Sequence, residues 1–240
     1  MSTPARLLLA LASLLALAGS PRAEGLVQLT LRGAVAQPGG GPVEIAWGFV
    51  TDSGQALHDQ LRVHLAEGTR AGDLAALLRA RLERSGAQVI APAPRDDRSA
   101  AVLFLDRLVA LDLRLEAGLS ASITVCEGAP ESVRFAAPRV AAGHLAPGRV
   151  FVTTSTFHPH SRELGSVRLE VTVDQETAPA AVCEALFQQG LERGLVGDRP
   201  AADAWRPLKT SDGALVTGCS IQLEDGRAGW GVQVRLAAPQ

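Results

Sequence analysis

A strand–turn–helix pattern occurs twice in this chain at one spacing, and that recurrence limits what the chain can fold into. Residues 61–86 read LRVHLAEGTRAGDLAALLRARLERSG. Leu61, Val63 and Leu65 alternate with Arg62 and His64, the period-two signature of a strand with one buried face. Gly68 and Thr69 interrupt it. Ala71, Leu74, Ala75, Leu78 and Leu82 then recur at helical spacing, with Arg70, Asp73, Arg81 and Arg84 mainly on the other side. Gly86 stands where a helix C-cap is expected. Residues 167–194 repeat the design as VRLEVTVDQETAPAAVCEALFQQGLERG. Leu61 and Leu169, Val63 and Val171, Leu65 and Val173, Leu74 and Val182, and Leu78 and Leu186 are each 108 positions apart. The same offset relates Leu113 to Ile221, Leu115 to Leu223, Glu116 to Glu224 and Gly118 to Gly226. One offset held over so long a span predicts an internal duplication.

Each helix is flanked by a similar run of strands. In the first half, strands are expected over 26–32, 43–51, 61–65, 102–105, 108–116 and 120–126, with an irregular polar loop over 91–98. In the second half they are expected over 133–136, 150–157, 167–173, 215–223 and 231–236, with a helix over 178–193 and a long loop over 197–207. One helix can cover one face of a small antiparallel sheet and close a two-layer core. The expected fold class is therefore α+β. Two tandem homologous repeats, 25–129 and 132–240, would each form a mostly antiparallel sheet covered by one helix. A hairpin, a helix opening at Gly68-Thr69 or Glu176-Thr177 and a following hairpin form an arrangement similar to the β-grasp layout of ubiquitin-like domains.

The first residues carry an export pattern. Arg6 precedes an unbroken apolar run over 7–18, LLLALASLLALA, of signal-peptide length and short for a bilayer span. Residues 1–23 are read as a signal peptide cleaved near 18–23. No second apolar run is long enough to cross a membrane, so the mature chain is expected outside the cytoplasm, periplasmic or secreted, and not integral to the membrane. Lys and Arg number 23 against 25 Asp and Glu. Without a basic surplus, non-specific nucleic-acid binding lacks its main driving force. Export also permits a disulfide, and Cys183 with Cys219 is the expected pair, leaving Cys126. Three small buried hydrophobes are the other reading of the same cysteines.

Few residues suggest chemistry. His158-Pro159-His160 can turn two imidazoles toward one metal ion, with Glu163 near and His144 as a third ligand; zinc or copper would need at least three. The other reading is a polar hairpin loop stiffened by proline. No further cofactor is expected. Asp96 and Asp97, and Asp198 and Asp203 in the matching loop, are carboxylates without a feature that separates their acid and base roles. Nucleophile-elbow, phosphate-loop and dinucleotide motifs are absent. Trp205 with Arg206, in the long second loop, is the candidate surface contact for a protein or glycan partner. The expected function is a non-catalytic exported binding or envelope-structural protein, using sheet edges or a cleft between the repeats. The alternative is a small extracytoplasmic metal-binding protein or hydrolase built on His158 and His160.

Overall fold

The computed structural model describes residues 25–51, 53–92, 98–115, 118–126, 130–136, 148–157, 162, 164–173, 177–196, 204–206, 209–210, 215–224 and 231–236. The apolar and polar alternation seen in the sequence becomes strands throughout. In the first half these are β1 (Gly25–Gly33), β2 (Gly41–Val50), β3 (Ala56–Leu65), β4 (Val89–Ile90), β5 (Ala100–Arg114) and β6 (Leu119–Val125). In the second half they are β7 (Pro130–Ala136), β8 (Gly148–Phe157), β9 (Leu164–Val173), β10 (Leu195–Val196), β11 (Ala204–Trp205), β12 (Lys209–Thr210), β13 (Leu215–Glu224) and β14 (Gly231–Leu236). Helices α1 (Ala71–Arg84) and α2 (Pro179–Glu192) follow β3 and β9. Helix α1 ends as its sequence predicts: Ser85 is the C-cap, and Gly86 takes the left-handed φ of +83° that glycine tolerates.

The expected α+β class is overturned. The chain is mostly β, and two modules with separate sheets do not form. Twelve strands join one curled antiparallel sheet, ordered β11-β7-β14-β5-β1-β6-β13-β8-β9, with β2 and β4 on β5 and β3 on β2. The reason lies in where backbone donors and acceptors find partners, a demand that alternation alone leaves open. The last strand of each half crosses to the long strand of the other. Ile123 of β6 lies opposite Ile221 of β13, and Val232 of β14 lies opposite Leu113 of β5. The helices likewise do not close two cores. Leu74, Leu78 and Leu82 of α1 and Val182, Cys183 and Leu186 of α2 join one apolar cluster with Leu29, Leu113, Ile123 and Ile221. The β-grasp layout goes with the same correction.

Within that sheet the two hairpins keep matching registers. Val43 lies opposite Val63 and Ile45 opposite Leu61; Val150 lies opposite Val171 and Val152 opposite Leu169. Ile45 also pairs with Leu113, as Val152 pairs with Ile221. The halves diverge at β5. The expected strands over 102–105 and 108–116 are one strand bent at Arg107, whose φ is +53° and whose N–H donates to Asp106 Oδ1 at 2.9 Å. Before the bend β5 pairs with β1, and beyond it with β2 and β14. In the second half the corresponding length, 208–222, holds β12 and most of β13 among the described residues.

On the outer face, Asp112 of β5 sits near Arg114 and Glu44. Desolvation raises its carboxyl above the usual range; Arg114 opposes that shift and Glu44 adds to it. No helix among the described residues is long and apolar enough to cross a membrane.

Candidate functional site

A concavity lies between α1, β1 and the start of β5. It begins with the alternation of β1. Val27, Leu29 and Leu31 enter the core, so Gln28, Thr30 and Arg32 share the opposite face. Across the ladder, Thr30 faces Val102 and Arg32 faces Ala100. Helix α1 contributes Gly72, Asp73, Ala75, Ala76 and Arg79. Because Ala100, Ala101, Ala75 and Ala76 are all small, strand and helix leave between them a cleft of about 530 Å³. That volume suits a small organic ligand.

The floor of the cleft is apolar and fixed. Leu103 and Ala75 are buried, and Thr30, only 8% exposed, is the polar group beside them. Gln28 Nε2 donates to Thr30 Oγ1 at 3.2 Å, which leaves the threonine hydroxyl hydrogen available. The rim carries three arginines. Arg79 Nε pairs with Glu83 Oε1 at 2.6 Å, and Arg98 Nη1 pairs with Asp73 Oδ1 at 2.9 Å. Arg32 has no ion pair among the described residues. Among the described residues, one positive charge is therefore uncompensated at the mouth.

The backbone holds this rim under constraint. Arg98 adopts a φ of +50°, sparsely populated for a residue with a side chain. Its carbonyl accepts from Gly72 N–H at 2.9 Å. A Cβ at Gly72 would lie 2.9 Å from Arg98 Cβ and 3.0 Å from Arg98 O, so glycine is what lets α1 approach so closely.

The residues singled out in the sequence lie elsewhere or outside the described residues. Trp205 is not a surface contact: it is 0% exposed, sits in β11 opposite Val133, and its Nε1 is buried without a hydrogen-bond partner among the described residues. Arg206 beside it is exposed. His158 and His160 fall outside the described residues, as do His144, Glu163, Asp96, Asp97, Asp198 and Asp203. Among the described residues no group of three His, Cys, Asp or Glu side chains is placed to share a metal ion. The cleft residues Thr30, Arg32 and Arg98 drew no attention in the sequence. Alternation put Thr30 and Arg32 on one face, but only the β1–β5 pairing and the α1 crossing bring Arg98 to them.

All three cysteines stand as thiols. Cys183 is buried on α2, Cys219 is buried on β13 opposite Thr154 and Val125, and Cys126 is exposed. Burial pushes the Cys219 thiol up to about 12, far from the thiolate form that reacts. A disulfide reagent is therefore expected to titrate one thiol, Cys126, in the native protein and all three after denaturation. A count of one in both states would instead mark the Cys183–Cys219 disulfide.

Comparison of the sequence with protein-family models and with curated proteins finds no match.

Proposed function

We propose that this chain is an exported, non-catalytic binding protein built from a duplicated unit, and that its cleft under α1 takes a small amphiphilic monoanion. Export rests on Arg6 and the apolar run over 7–18. Duplication is supported by the matching registers of β2–β3 with β8–β9 and of β2–β5 with β8–β13. The observation that carries the ligand class is the pairing of an apolar floor with one guanidinium, Arg32, that lacks a counter-ion among the described residues. Burial of a hydrocarbon or aromatic body over Leu103, Val102, Ala75 and Ala76 supplies the attraction. A carboxylate at Arg32 gains a charge-assisted hydrogen bond, and the Thr30 hydroxyl is the donor deeper in the cleft. The arginines held by Glu83 and Asp73 shape the rim without adding net charge there.

Titration calorimetry with dodecanoate, dodecanol and dodecylamine tests this reading. Dodecanoate should bind about tenfold or more tightly than dodecanol, the worth of a hydrogen bond to a charged group. Dodecylamine should bind weakest. Arg32→Gln should bring dodecanoate down to the level of dodecanol and leave dodecanol unchanged. Ala76→Trp, which fills the cleft, should abolish both. Equal binding of acid and alcohol to the parent protein would refute the monoanion, and indifference to Ala76→Trp would refute the cleft.

A further inference from the structure

Strands β3 and β9 occupy matching places, each the outer member of a hairpin and each paired on one side only among the described residues. Such an edge offers a row of unused N–H and C=O groups to any other strand. At β9 helix α2 takes up that row. Gln189 Nε2 donates to Glu170 O at 2.6 Å, Gln189 Oε1 accepts from Glu170 N at 3.0 Å, and Arg193 Nη1 donates to Arg168 O at 2.6 Å.

At β3 the same closure fails. The positions 108 residues before Glu170 and Gln189 are Arg62 and Arg81. An arginine has donors and no acceptor, so it cannot receive an edge N–H as Gln189 does. Arg81 Nη2 instead goes to Asp59 Oδ1 at 2.7 Å, and that oxygen accepts from Gln60 N at 2.8 Å. The Gln60 N–H is covered in this way. Arg62, two residues along the same edge, holds the register position at which Glu170 of β9 turns its N–H and C=O outward to Gln189. The inward side chains differ in the same sense: Leu169 and Val171 of β9 are buried, whereas Leu57, Leu61 and Val63 of β3 are only partly so. A further strand would cover both the polar row and this apolar one.

We infer that β3 is a docking edge for an extended segment of another protein, one that alternates apolar residues with Asp or Glu. The apolar residues would continue the row of Leu57, Leu61 and Val63. The acidic ones would meet the outer row at Arg62, its charged residue, from the side opposite Glu44 of β2. A second copy of this chain is the poorer occupant. Pairing β3 with β3 sets the Arg62-bearing row against itself, and like charges across strands destabilise; β9 of another copy is closed by α2.

The test uses the full chain with a fluorescein-labelled peptide alternating Val and Glu, ten residues long to match β3, and a Val–Lys peptide as control. Fluorescence anisotropy should show the Glu peptide binding at least about tenfold more tightly, the scale of cross-strand and steering charge effects. Arg62→Glu, an exposed substitution that the fold should tolerate, should reverse the order. Hydrogen exchange should find the Arg62 amide fast in the free protein, the Glu170 amide slower, and Arg62 protected once the Glu peptide is added. Equal affinities, protection elsewhere than β3, or a β3-linked dimer of the protein alone would each overturn the inference.

Discussion

Replacing Trp205 with alanine is expected to destabilise the protein by about 3–5 kcal/mol, the range for truncating a large buried aromatic. The residue is 0% exposed in a two-residue strand, and α2 packs against that strand. Trp205→Phe should cost much less. Its ring retains most of the buried area, and it removes an indole N–H that is desolvated without a partner. Urea unfolding followed by far-UV circular dichroism measures both variants. A Trp205→Ala protein within about 0.5 kcal/mol of the parent would mean a surface residue instead.

The second large effect concerns the junction of the two halves. Ile123 of β6 is 1% exposed and lies between Leu29 of β1 and Ile221 of β13. Ile123→Ala should cost about 2–5 kcal/mol. More tellingly, the loss should be shared. Because β6 completes the ladder of β13 while β14 completes that of β5, neither half can leave the sheet without exposing strand edges in the other. Tryptophan fluorescence and circular dichroism should therefore report one coincident transition, shifted as a whole by the mutation. Two transitions, with only the earlier one displaced, would mean that the halves fold independently despite their shared strands.

These expectations show how differently the parts of the molecule could be read. The bounds of β14, 231–236, and the course of α1 followed from period and caps alone, because alternation and helical spacing are local consequences of burying one face. The positions related by the 108-residue offset sit in similar pairings: Ile45 lies opposite Leu61 and Leu113, and Val152 opposite Leu169 and Ile221. The bend at Arg107 was misread as a break between strands. A chain can reverse φ at one residue and continue the ladder when a side chain such as Asp106 caps the exposed N–H. Trp205 was misread because Asp, Arg and Pro around it describe a loop, while its own burial depends on β7 and α2 arriving from other parts of the chain.

Local patterning was enough to say which residues turn inward and where helices begin and stop. Which strand lies beside which was settled by long-range pairing. Hydrophobic alternation specifies a face, whereas a hydrogen-bonded edge is satisfied equally well by any strand of suitable register. That freedom let β6 and β14 exchange partners between the halves, turning two expected modules into one sheet. It also placed Arg32 beside the α1 cleft and left β3 open where β9 is closed, features that arise from pairing and crossing.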